Sequence, residues 1–442
     1  MTTADLALTQ APDPVTELNH SCYCRTLSPE RLRLELERDT RQAGLMQHIL
    51  QTRPHLFSST VVFMAGTMAQ QISEVVAAVE RTCALAAYQA TVLPRARAIA
   101  HTGFGPRGVC MGFDFHITQG GPKLIEINTN AGGLLLNVAL AKAQVACCDA
   151  MQTALPKNQC GTPLETEVLN MFVADWQSQR GPKPLTFVAI VDEAPQSQYL
   201  APEFELFQQL FQRNGIDAAI ADPTELVWSQ GQLWLNGRVV DMVYNRLTDF
   251  YLAEPSQQHL REAYQTGATV FTPSPHAHAL FADKRNLAEL SDGNVLESWG
   301  VSDADRATLS ASVPTTRLVT PELADAMWAQ RRQLFFKPAS GYGAKAAYRG
   351  DKLTKRVWGD ILAGSFVAQA LVPPGERLIQ VDGVQADLKF DVRAYTYAGK
   401  VQLLAARVYS GQTTNFRTQG GGFAPIIVLN TPETAHGQTT IC

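Results

Sequence analysis

Apolar residues recur every three or four positions between Pro29 and about Ala100, which is the repeat of an amphipathic helix. The stretches LRLELERDTRQAGLMQHIL and MAQQISEVVAAVERTCALAAYQATVL carry this repeat most clearly. We therefore predict a helical segment over residues 29–105. Residues 1–28 lack the repeat and contain Pro12 and Pro14, so they are predicted to form a leader without stable structure.

The pattern changes to short apolar runs after residue 111. Residues 112–118 and 123–128 are predicted to be two strands of a hairpin, joined by the turn Gln119-Gly120-Gly121-Pro122. The glycine pair Gly132-Gly133 then lets the chain turn into an apolar helix, LLLNVALAKAQVA. We treat residues 106–150 as one unit built on this hairpin.

Strands and helices alternate between residues 185 and 280. TFVAIVDE, DAAIAD, DMVYNR and ATVFTPSP have the composition of strands, PEFELFQQLFQRNG that of a helix, and LVWSQGQLWLNGRVV that of a short hairpin. Such alternation predicts a parallel α/β sheet. Residues 281–442 form the remaining unit, so the predicted fold class is α/β (α+β).

Composition limits the kind of protein this is. The 442 residues carry 37 Lys and Arg against 41 Asp and Glu, a net charge of −4, and 45% of them are apolar. This balance is typical of a soluble protein of several packed units, so neither nucleic acid nor a membrane surface is an expected partner. The first residues, MTTADLALTQ, lack the basic and apolar regions of a secretory signal. We therefore expect a cytoplasmic protein.

The cysteines and histidines do not indicate a zinc site. Eight cysteines in a chain of this length are too few for a dense disulfide framework and suggest free thiols. Cys22 and Cys24 follow His20, but no second cluster of ligands accompanies them. Their role stays open.

Hard oxygen ligands stand on the predicted hairpin. Glu126 and Asn128 are two positions apart on one strand and therefore point to the same face, and Asp114 lies on the other strand. Buried carboxylates are costly unless they are paired or bind a metal. We predict that these three residues bind Mg²⁺ (or Mn²⁺), with two ions bridged by Glu126 as the expected arrangement. The alternative is an edge strand with solvated charges.

A lysine and a glycine-rich loop follow some 200 residues later, in FFKPASGYGAKAAYRG. Lysine supplies a point charge, and glycines allow backbone N–H groups to approach a phosphate. The predicted phosphate-binding residues are Lys337, Ser340, Gly341, Gly343 and Lys345. Lys284, in ADKRN, has two equally weighted interpretations: it is a solvated charge on a helix, or it is a second phosphate ligand.

These segments together resemble the ATP-grasp superfamily. KLIEINTNAGG is similar to its metal-binding strand, GFDF to the strand before it, FFKPASGYGAKA to its nucleotide lysine and phosphate loop, FVAQALVPPGE to its adenine hinge, DVRAYTYAGK to a central strand, and NFRTQGG to its basic turn. The metal strands come last in ordinary members and first here. The chain therefore resembles a circularly permuted ATP-grasp protein, such as eukaryotic-type glutathione synthetase and some bacterial ligases. The implied fold has an inserted three-layer α/β domain at 185–280 and its nucleotide-binding part at 281–442.

The resemblance implies further roles, with alternatives. Lys337 would contact the α- and β-phosphates, the backbone of Gln369, Ala370 and Leu371 would pair with adenine, and Glu376 would bind the ribose or be a solvated turn residue. Asp391 and Arg393 would line the site or form a structural pair. Arg407 and Arg417, with Asn415, would stabilise the γ-phosphate or acyl-phosphate charge. Relatives often carry an arginine before the metal aspartate, where this chain has Gly112-Phe113, and Arg417 is expected to replace it.

The implied activity is that of an ATP-dependent carboxylate–amine ligase. ATP would activate a small carboxylate as an acyl-phosphate, and an amine such as an amino acid or short peptide would displace phosphate. The alternatives are an ATP-grasp kinase or thioester-forming ligase, and a catalytically inactive nucleotide-binding regulator. The sequence names neither substrate and leaves a homodimer open.

Overall fold

The computed structural model describes residues 13–23, 25–38, 43–146, 163–341, 346–381 and 383–429. Numbered in chain order, its helices are α1 (Pro14–Ser21), α2 (Pro29–Leu36), α3 (Leu45–Thr52), α4 (Gly66–Cys83), α5 (Ala86–Val92), α6 (Leu134–Lys142), α7 (Leu164–Arg180), α8 (Ala201–Arg213), α9 (Gln258–Gln265), α10 (Pro275–Phe281), α11 (Asn286–Leu290), α12 (Gly293–Ser298), α13 (Asp303–Ser312), α14 (Ala324–Gln330) and α15 (Lys355–Ala363). Its strands are β1 (Val62–Ala65), β2 (Met111–Thr118), β3 (Gly121–Asn128), β4 (Phe187–Val191), β5 (Asp217–Ala221), β6 (Val227–Ser229), β7 (Gln232–Leu235), β8 (Arg238–Val239), β9 (Met242–Asn245), β10 (Val270–Thr272), β11 (Thr316–Leu318), β12 (Leu334–Pro338), β13 (Tyr348–Arg349), β14 (Phe366–Ala370), β15 (Gly375–Val381), β16 (Val384–Tyr397), β17 (Lys400–Tyr409) and β18 (Gly422–Leu429).

The largest sheet joins segments that are far apart in sequence. Its seven strands run in the order β1-β18-β17-β16-β2-β3, and β15 pairs with β16 outside this path. The predicted hairpin is present as β2 and β3, which pair antiparallel with Asp114 opposite Glu126. Strand β16 pairs antiparallel with β2 and sets Arg393 opposite Asp114. The sheet thus places the candidate metal ligands beside the strand that carries Asp391 and Arg393.

The second sheet is the predicted parallel one. Its order is β10-β9-β4-β5, and every pairing in it is parallel. An aromatic cluster packs beneath it, in which Phe172 of α7 contacts Phe207 and Phe211 of α8 and Tyr244 of β9 edge-on. The predicted hairpin at 226–240 forms a separate sheet of three short strands, β6-β7-β8.

The third sheet carries the glycine-rich segment. Its order is β11-β14-β12-β13, and all its pairings are antiparallel. Helix α15 packs against it, with Trp358 edge-on to the fully buried Phe336 of β12. Lys337 follows Phe336 directly, so this core fixes the position of the lysine backbone.

The N-terminal part differs from the prediction in two ways. The segment predicted to be helical also contains β1, which pairs parallel with β18 of the large sheet. The leader predicted to lack structure contains α1, and Asn19 of that helix exchanges two hydrogen bonds with the backbone of Phe63. The buried Arg377 donates to the carbonyl oxygens of Asn19 and Cys22. The prediction is therefore wrong for 13–23, because tertiary contacts that no local pattern reveals hold this segment; residues 1–12 lie outside the described part of the chain.

A large hydrophobic core lies between α4 and one face of the seven-stranded sheet. Val75, Val76 and Val79 of α4 are fully buried there together with Phe113 and Phe115 of β2. Since side chains alternate along a strand, burial of these two phenylalanines turns Gly112, Asp114 and His116 to the opposite face. None of the helices in the described ranges is long and apolar enough to cross a membrane.

Candidate functional site

The residues of interest line one cleft of about 1340 Å³. It extends from the third sheet, across the open face of the seven-stranded sheet, to the ends of β4 and β9 in the parallel sheet. Predicted site residues that line it are Asp114, Glu126, Asn128, Lys284, Lys337, Gly341, Gln369, Ala370, Leu371, Glu376, Asp391, Arg393, Arg407, Asn415 and Arg417. Ser340 is exposed beside Gly341, while Gly343 and Lys345 lie outside the described residues. The cleft is large enough for a nucleotide and a second small molecule.

Asp114 lies at the centre of a buried cluster of charges. Its Oδ1 accepts a hydrogen bond from Arg393 Nε at 2.7 Å, and its Oδ2 accepts from Arg393 Nη2 and Arg407 Nη2, both at 2.8 Å. Arg407 Nε also donates to Asp391 Oδ1 at 2.6 Å. Burial raises the pKa of Asp114, but the charges of Arg393 and Arg407 outweigh it and hold the pKa below its ordinary value. The alternative interpretation was a structural Asp391–Arg393 pair; in the described residues these side chains instead form two cross-strand pairs, Arg393–Asp114 and Arg407–Asp391.

Arg393 packs against Gly112 of β2. A Cβ on Gly112 would lie 3.1 Å from Arg393 Nε and 2.6 Å from the Cβ of Ala131. The Arg393 side chain therefore reaches over Gly112 from the neighbouring strand β16. Arg417, which was expected to replace an arginine before the metal aspartate, is exposed and lines the cleft, and its role stays a prediction.

Glu126 and Asn128 extend the cluster toward the cations of the third sheet. Glu126 Oε2 lies 3.7 Å from Lys284 Nζ, and Asn128 Nδ2 donates to Asp114 Oδ2 at 3.1 Å. Burial raises the pKa of Glu126, but the positive charges of Lys284 and Lys337 lower it by more. The pKa therefore lies below its ordinary value, and the carboxylate is ionised at neutral pH.

These oxygen atoms are compatible with a bound Mg²⁺. Oδ2 of Asp114 already accepts three hydrogen bonds, whereas Oδ1 accepts one and keeps a free lone pair. Asp114 Oδ1, the Glu126 carboxylate and Asn128 Oδ1 form the hard-oxygen set that this ion prefers. Within the described ranges, no group of three or more His, Cys, Asp or Glu residues is suited to hold a metal, so the set depends on the amide of Asn128.

Lys337 is buried where the third sheet meets β3. Its side chain is 7% exposed, and Nζ donates to the Ile125 carbonyl at 2.7 Å and to Gln369 Oε1 at 2.9 Å. Burial lowers the pKa of Lys337 to about 8, against the opposing effect of Glu126. Lys284 is equally buried and donates to the Gly341 carbonyl at 2.9 Å, so it is not a solvated helix charge. Both ammonium groups lie close enough to the Glu126 carboxylate to lower its pKa.

Two backbone N–H groups of the segment expected to be the adenine hinge already form hydrogen bonds within the protein. The N–H of Ala370 donates to the Thr315 carbonyl and that of Leu371 to the Gln333 carbonyl, each at 2.8 Å. The sheet therefore uses these two donors, and pairing of this backbone with adenine through its carbonyl groups stays a prediction. Gln369 is also committed, because its side chain joins Lys337 to Thr316.

Asn415 organises the loop between β17 and β18. Its Nδ2 donates to the Ser410 carbonyl at 2.7 Å, and its Oδ1 accepts from the Arg417 N–H and the Thr418 hydroxyl, each at 3.0 Å. Such contacts fix the loop that presents Arg417 to the cleft. The loop also carries Phe416, which stacks on Tyr199 at 5.5 Å between ring centroids.

The sequence analysis missed the far half of the cleft, where Asp192 and Arg246 lie. These residues directly follow the neighbouring parallel strands β4 and β9, and Arg246 N–H donates to the Val191 carbonyl at 2.9 Å. In this sheet β5 pairs with one side of β4, and β9 pairs with the other side. β4 and β9 therefore flank the point at which the strand order reverses, where ligands of parallel α/β sheets bind. The sequence does carry a signal for these two residues, because a charged residue directly follows each apolar strand in VAIVD and MVYNR.

Both side chains carry features of a binding site. Arg246 is 7% exposed; its Nη1 donates to the Asn130 carbonyl at 2.9 Å, and its buried Nε has no hydrogen-bond partner among the described residues. Burial raises the pKa of Asp192 to about 6, against the opposing effect of Arg246. A buried cation with an unused donor, next to a carboxylate, suits a ligand that carries both signs of charge.

No protein-family model matches the chain, and no curated protein matches it either. Among solved structures, a glutathione synthetase-like effector from Globodera pallida in its apo form matches with a TM-score of 0.51 and 12% identity, over 89% of this chain and 98% of that one. A proposed γ-glutamylcysteine synthetase from Methylobacillus flagellatus KT matches with a TM-score of 0.46 and 10% identity, over 85% of this chain and 90% of that one. A D-cycloserine synthetase matches with a TM-score of 0.31 and 18% identity, over 55% and 90%. The likeness to the effector shows that this chain shares the fold of that glutathione synthetase-like protein.

Proposed function

We propose that this protein is an ATP-dependent carboxylate–amine ligase that forms an amide or peptide bond and releases ADP and phosphate. The observation that carries the proposal is the single cleft, which combines buried cations, a hard-oxygen cluster and a separate charged pair. The structures with the same or a similar fold include synthetases, which supports a ligase in kind.

The charges in the near half of the cleft suit a triphosphate. Lys284, Lys337, Arg393 and Arg407 supply four positive charges, against three negative charges from Asp114, Glu126 and Asp391. Mg²⁺ held by Asp114, Glu126 and Asn128 would neutralise phosphate charge and act as a Lewis acid. Lys337 and Lys284 would orient the phosphates, since both ammonium groups are held in place by backbone carbonyls.

The proposed reaction has two steps. A substrate carboxylate oxygen attacks the γ-phosphorus, the bond to the β–γ bridging oxygen breaks, and ADP leaves. An amine then attacks the acyl carbon of the acyl-phosphate, and phosphate leaves with the electron pair of the C–O bond. Arg407 and Arg417 stabilise the negative charge that is transferred, and the protein supplies no covalent nucleophile.

The far half of the cleft would bind an amino acid or the end of a short peptide. Arg246 is suited to a carboxylate because its Nε is an unused donor, and Asp192 is suited to an ammonium group. Asp192 could also accept the proton that the attacking amine releases. Tyr199, Leu200 and Phe204 add an apolar wall on which a side chain can pack.

The test is the release of ADP and phosphate in a screen of amino acids and short peptides with Mg²⁺-ATP. We expect release that requires both an acid and an amine, with a product one water lighter than their sum. Glu126→Gln, which keeps the shape of the side chain and removes its charge, should lower the rate on the order of 100-fold without changing the unfolding midpoint. ADP release with a phosphorylated product and no amine would indicate a kinase. ATP binding without turnover in the whole screen would favour the regulator, and full activity of Glu126→Gln would reject the proposed site.

A further inference from the structure

A pair of aromatic rings joins two loops at the wall of the cleft. Phe416 belongs to the loop between β17 and β18, Tyr199 belongs to the loop before α8, and both residues line the cleft. The rings lie at 30° to each other, with 5.5 Å between their centroids. Arg417 directly follows Phe416, and Leu200 directly follows Tyr199. The pair therefore connects the loop that presents Arg417 to the apolar wall of the far half.

Tyr199 is held in place by a buried arginine. Arg53, which directly follows α3, is 8% exposed. Its Nη2 donates to the Gln198 carbonyl at 2.9 Å, its Nε donates to the Tyr199 carbonyl, and its guanidinium carbon lies 5.8 Å from the centre of the Tyr199 ring. Because one buried guanidinium holds two successive carbonyl groups, Tyr199 offers Phe416 a partner of fixed position.

The loop that carries Phe416 is held from two sides. The Thr414 hydroxyl donates to Asp391 Oδ2 on β16, which fixes the loop to the floor of the cleft. The Phe416 ring also contacts Phe423 of β18, at 4.8 Å between centroids. Phe423 is fully buried, so this contact is ordinary core packing, whereas Tyr199 is 37% exposed. The stack on Tyr199 is therefore a separate contact, made at the surface of the cleft.

Arg417 depends on its backbone for its position. Its side chain is exposed, and an exposed arginine has many accessible rotamers. Asn415 Oδ1 accepts a hydrogen bond from the Arg417 N–H at 3.0 Å, and Phe416 lies between these two residues in the chain. Fixing the Phe416 ring therefore fixes the backbone from which the Arg417 side chain starts. Charge stabilisation in a transition state requires donors that are already in position.

We infer that Phe416 is a positioning residue, whose stack on Tyr199 holds Arg417 where the charge of the transferred phosphoryl group develops. The inference rests on the proposed function, because it requires that Arg417 stabilises this charge in an ATP-dependent ligase. Phe416 acts through Arg417 and contacts no reacting atom. A purely structural Phe416 would instead contribute stability through Phe423, and its replacement would leave the rate unchanged.

The experiment uses variants that separate the stack from core packing. Phe416→Leu keeps apolar bulk against Phe423 and loses the flat face, Phe416→Tyr keeps the ring, and Tyr199→Leu removes the other partner. The double variant completes a cycle. Phe104→Leu is the control, since Phe104 and Tyr264 form an edge contact at 5.4 Å outside the cleft lining.

Two kinds of measurement are made on each variant. The first is ADP release with Mg²⁺-ATP and the acid and amine that the screen of amino acids and short peptides identifies, which gives kcat and the KM for ATP. The second is the unfolding midpoint, which reports the loss of packing. Phe104→Leu should lower the midpoint without changing kcat.

We expect kcat to fall about tenfold in Phe416→Leu, since a stacked aromatic pair changes an equilibrium by up to about this factor. The KM for ATP should stay within about twofold, because the lost interaction serves the transition state and not nucleotide binding. Phe416→Tyr should keep most of the rate. In the Tyr199→Leu background, Phe416→Leu should cause no further loss, because both changes remove the same stack.

Three results would overturn the inference while the proposed function stays intact. These are an unchanged kcat in Phe416→Leu, equal slowing in Phe416→Tyr and Phe416→Leu, and losses that multiply in the double variant. A wild-type protein that turns over no pair in the screen would overturn the proposed function and the inference with it.

Discussion

Because Lys337 is buried, its ammonium group loses its proton within a pH range in which binding can be measured. The pKa of Lys337 is lowered to about 8, chiefly by loss of hydration, so the ammonium form predominates at neutral pH and is lost above pH 8. In the unfolded chain the same group stays protonated until about pH 10.4. Nucleotide affinity that depends on this charge should therefore fall above pH 8, well below the range of an ordinary lysine.

We predict that the affinity for a non-hydrolysable ATP analogue falls about tenfold per pH unit above pH 8, because binding then requires uptake of one proton. Lys337→Met, which keeps the length of the chain without the charge, should bind weakly and independently of pH between 7 and 9.5. Calorimetric titrations across this range check the prediction. An equal pH dependence in the wild type and in Lys337→Met would assign the effect to another group.

We predict that substitution of Arg246 weakens the binding of the second substrate and leaves the binding of the nucleotide unchanged. Arg246→Gln should raise the KM for the amine or acid by about tenfold or more, since a charge-assisted hydrogen bond is worth about 1.5–3 kcal/mol. The affinity for the ATP analogue should stay the same, because Arg246 lies at the far end of the cleft. Arg238→Gln is the control, since Arg238 pairs with Asp217 on the surface. Equal loss of nucleotide affinity in Arg246→Gln would contradict the division of the cleft.

Elements whose pattern is local were predictable from the sequence. The β2–β3 hairpin and the parallel sheet follow from alternating and continuous apolar runs, and both are present. Strand β1 was not predictable, because four apolar residues next to a long helix carry no period of their own and become a strand only by pairing with β18. The same holds for the site: Glu126 and Asn128 could be found from their spacing, whereas the reach of Arg393 over Gly112 depends on which strand lies beside β2.

The closeness of β2 and β16 leads to a prediction for Gly112. Gly112→Ala should destabilise the protein by roughly 1–3 kcal/mol, because the new methyl group overlaps Ala131 and crowds Arg393. Gly120→Ala, in the turn of the same hairpin, is the matched control, since its Cβ would meet no atom closer than 3.7 Å. Urea unfolding of both variants measures the difference. A Gly112 variant as stable as the control would mean that Arg393 does not pack against this position.

On the scale of the whole molecule, the seven-stranded sheet brings the end of β18 close to the start of β2. Asp114, Arg393, Ala405 and Pro425 form one row across four strands. The end of β18 and the start of β2 therefore lie at the same end of the sheet, about 14 Å apart at the usual strand spacing. Residues 430–442 lie outside the described ranges. The closeness of these ends agrees with a circular permutation, which stays a prediction from the order of the motifs.

The central claim is that the cleft between the sheets binds ATP, and one equilibrium titration tests it most directly. The Mg²⁺ complex of a non-hydrolysable ATP analogue is titrated into the wild type, Lys337→Ala and Lys123→Ala. Lys123 belongs to the same sheet but lies outside the cleft lining, where its ammonium group contacts the Ala311 carbonyl. The account predicts one site per chain, an affinity lowered at least about tenfold in Lys337→Ala, since a buried charge partner of the phosphates is lost, and an unchanged affinity in Lys123→Ala. No binding by the wild type, or equal affinity in the two lysine variants, would contradict it.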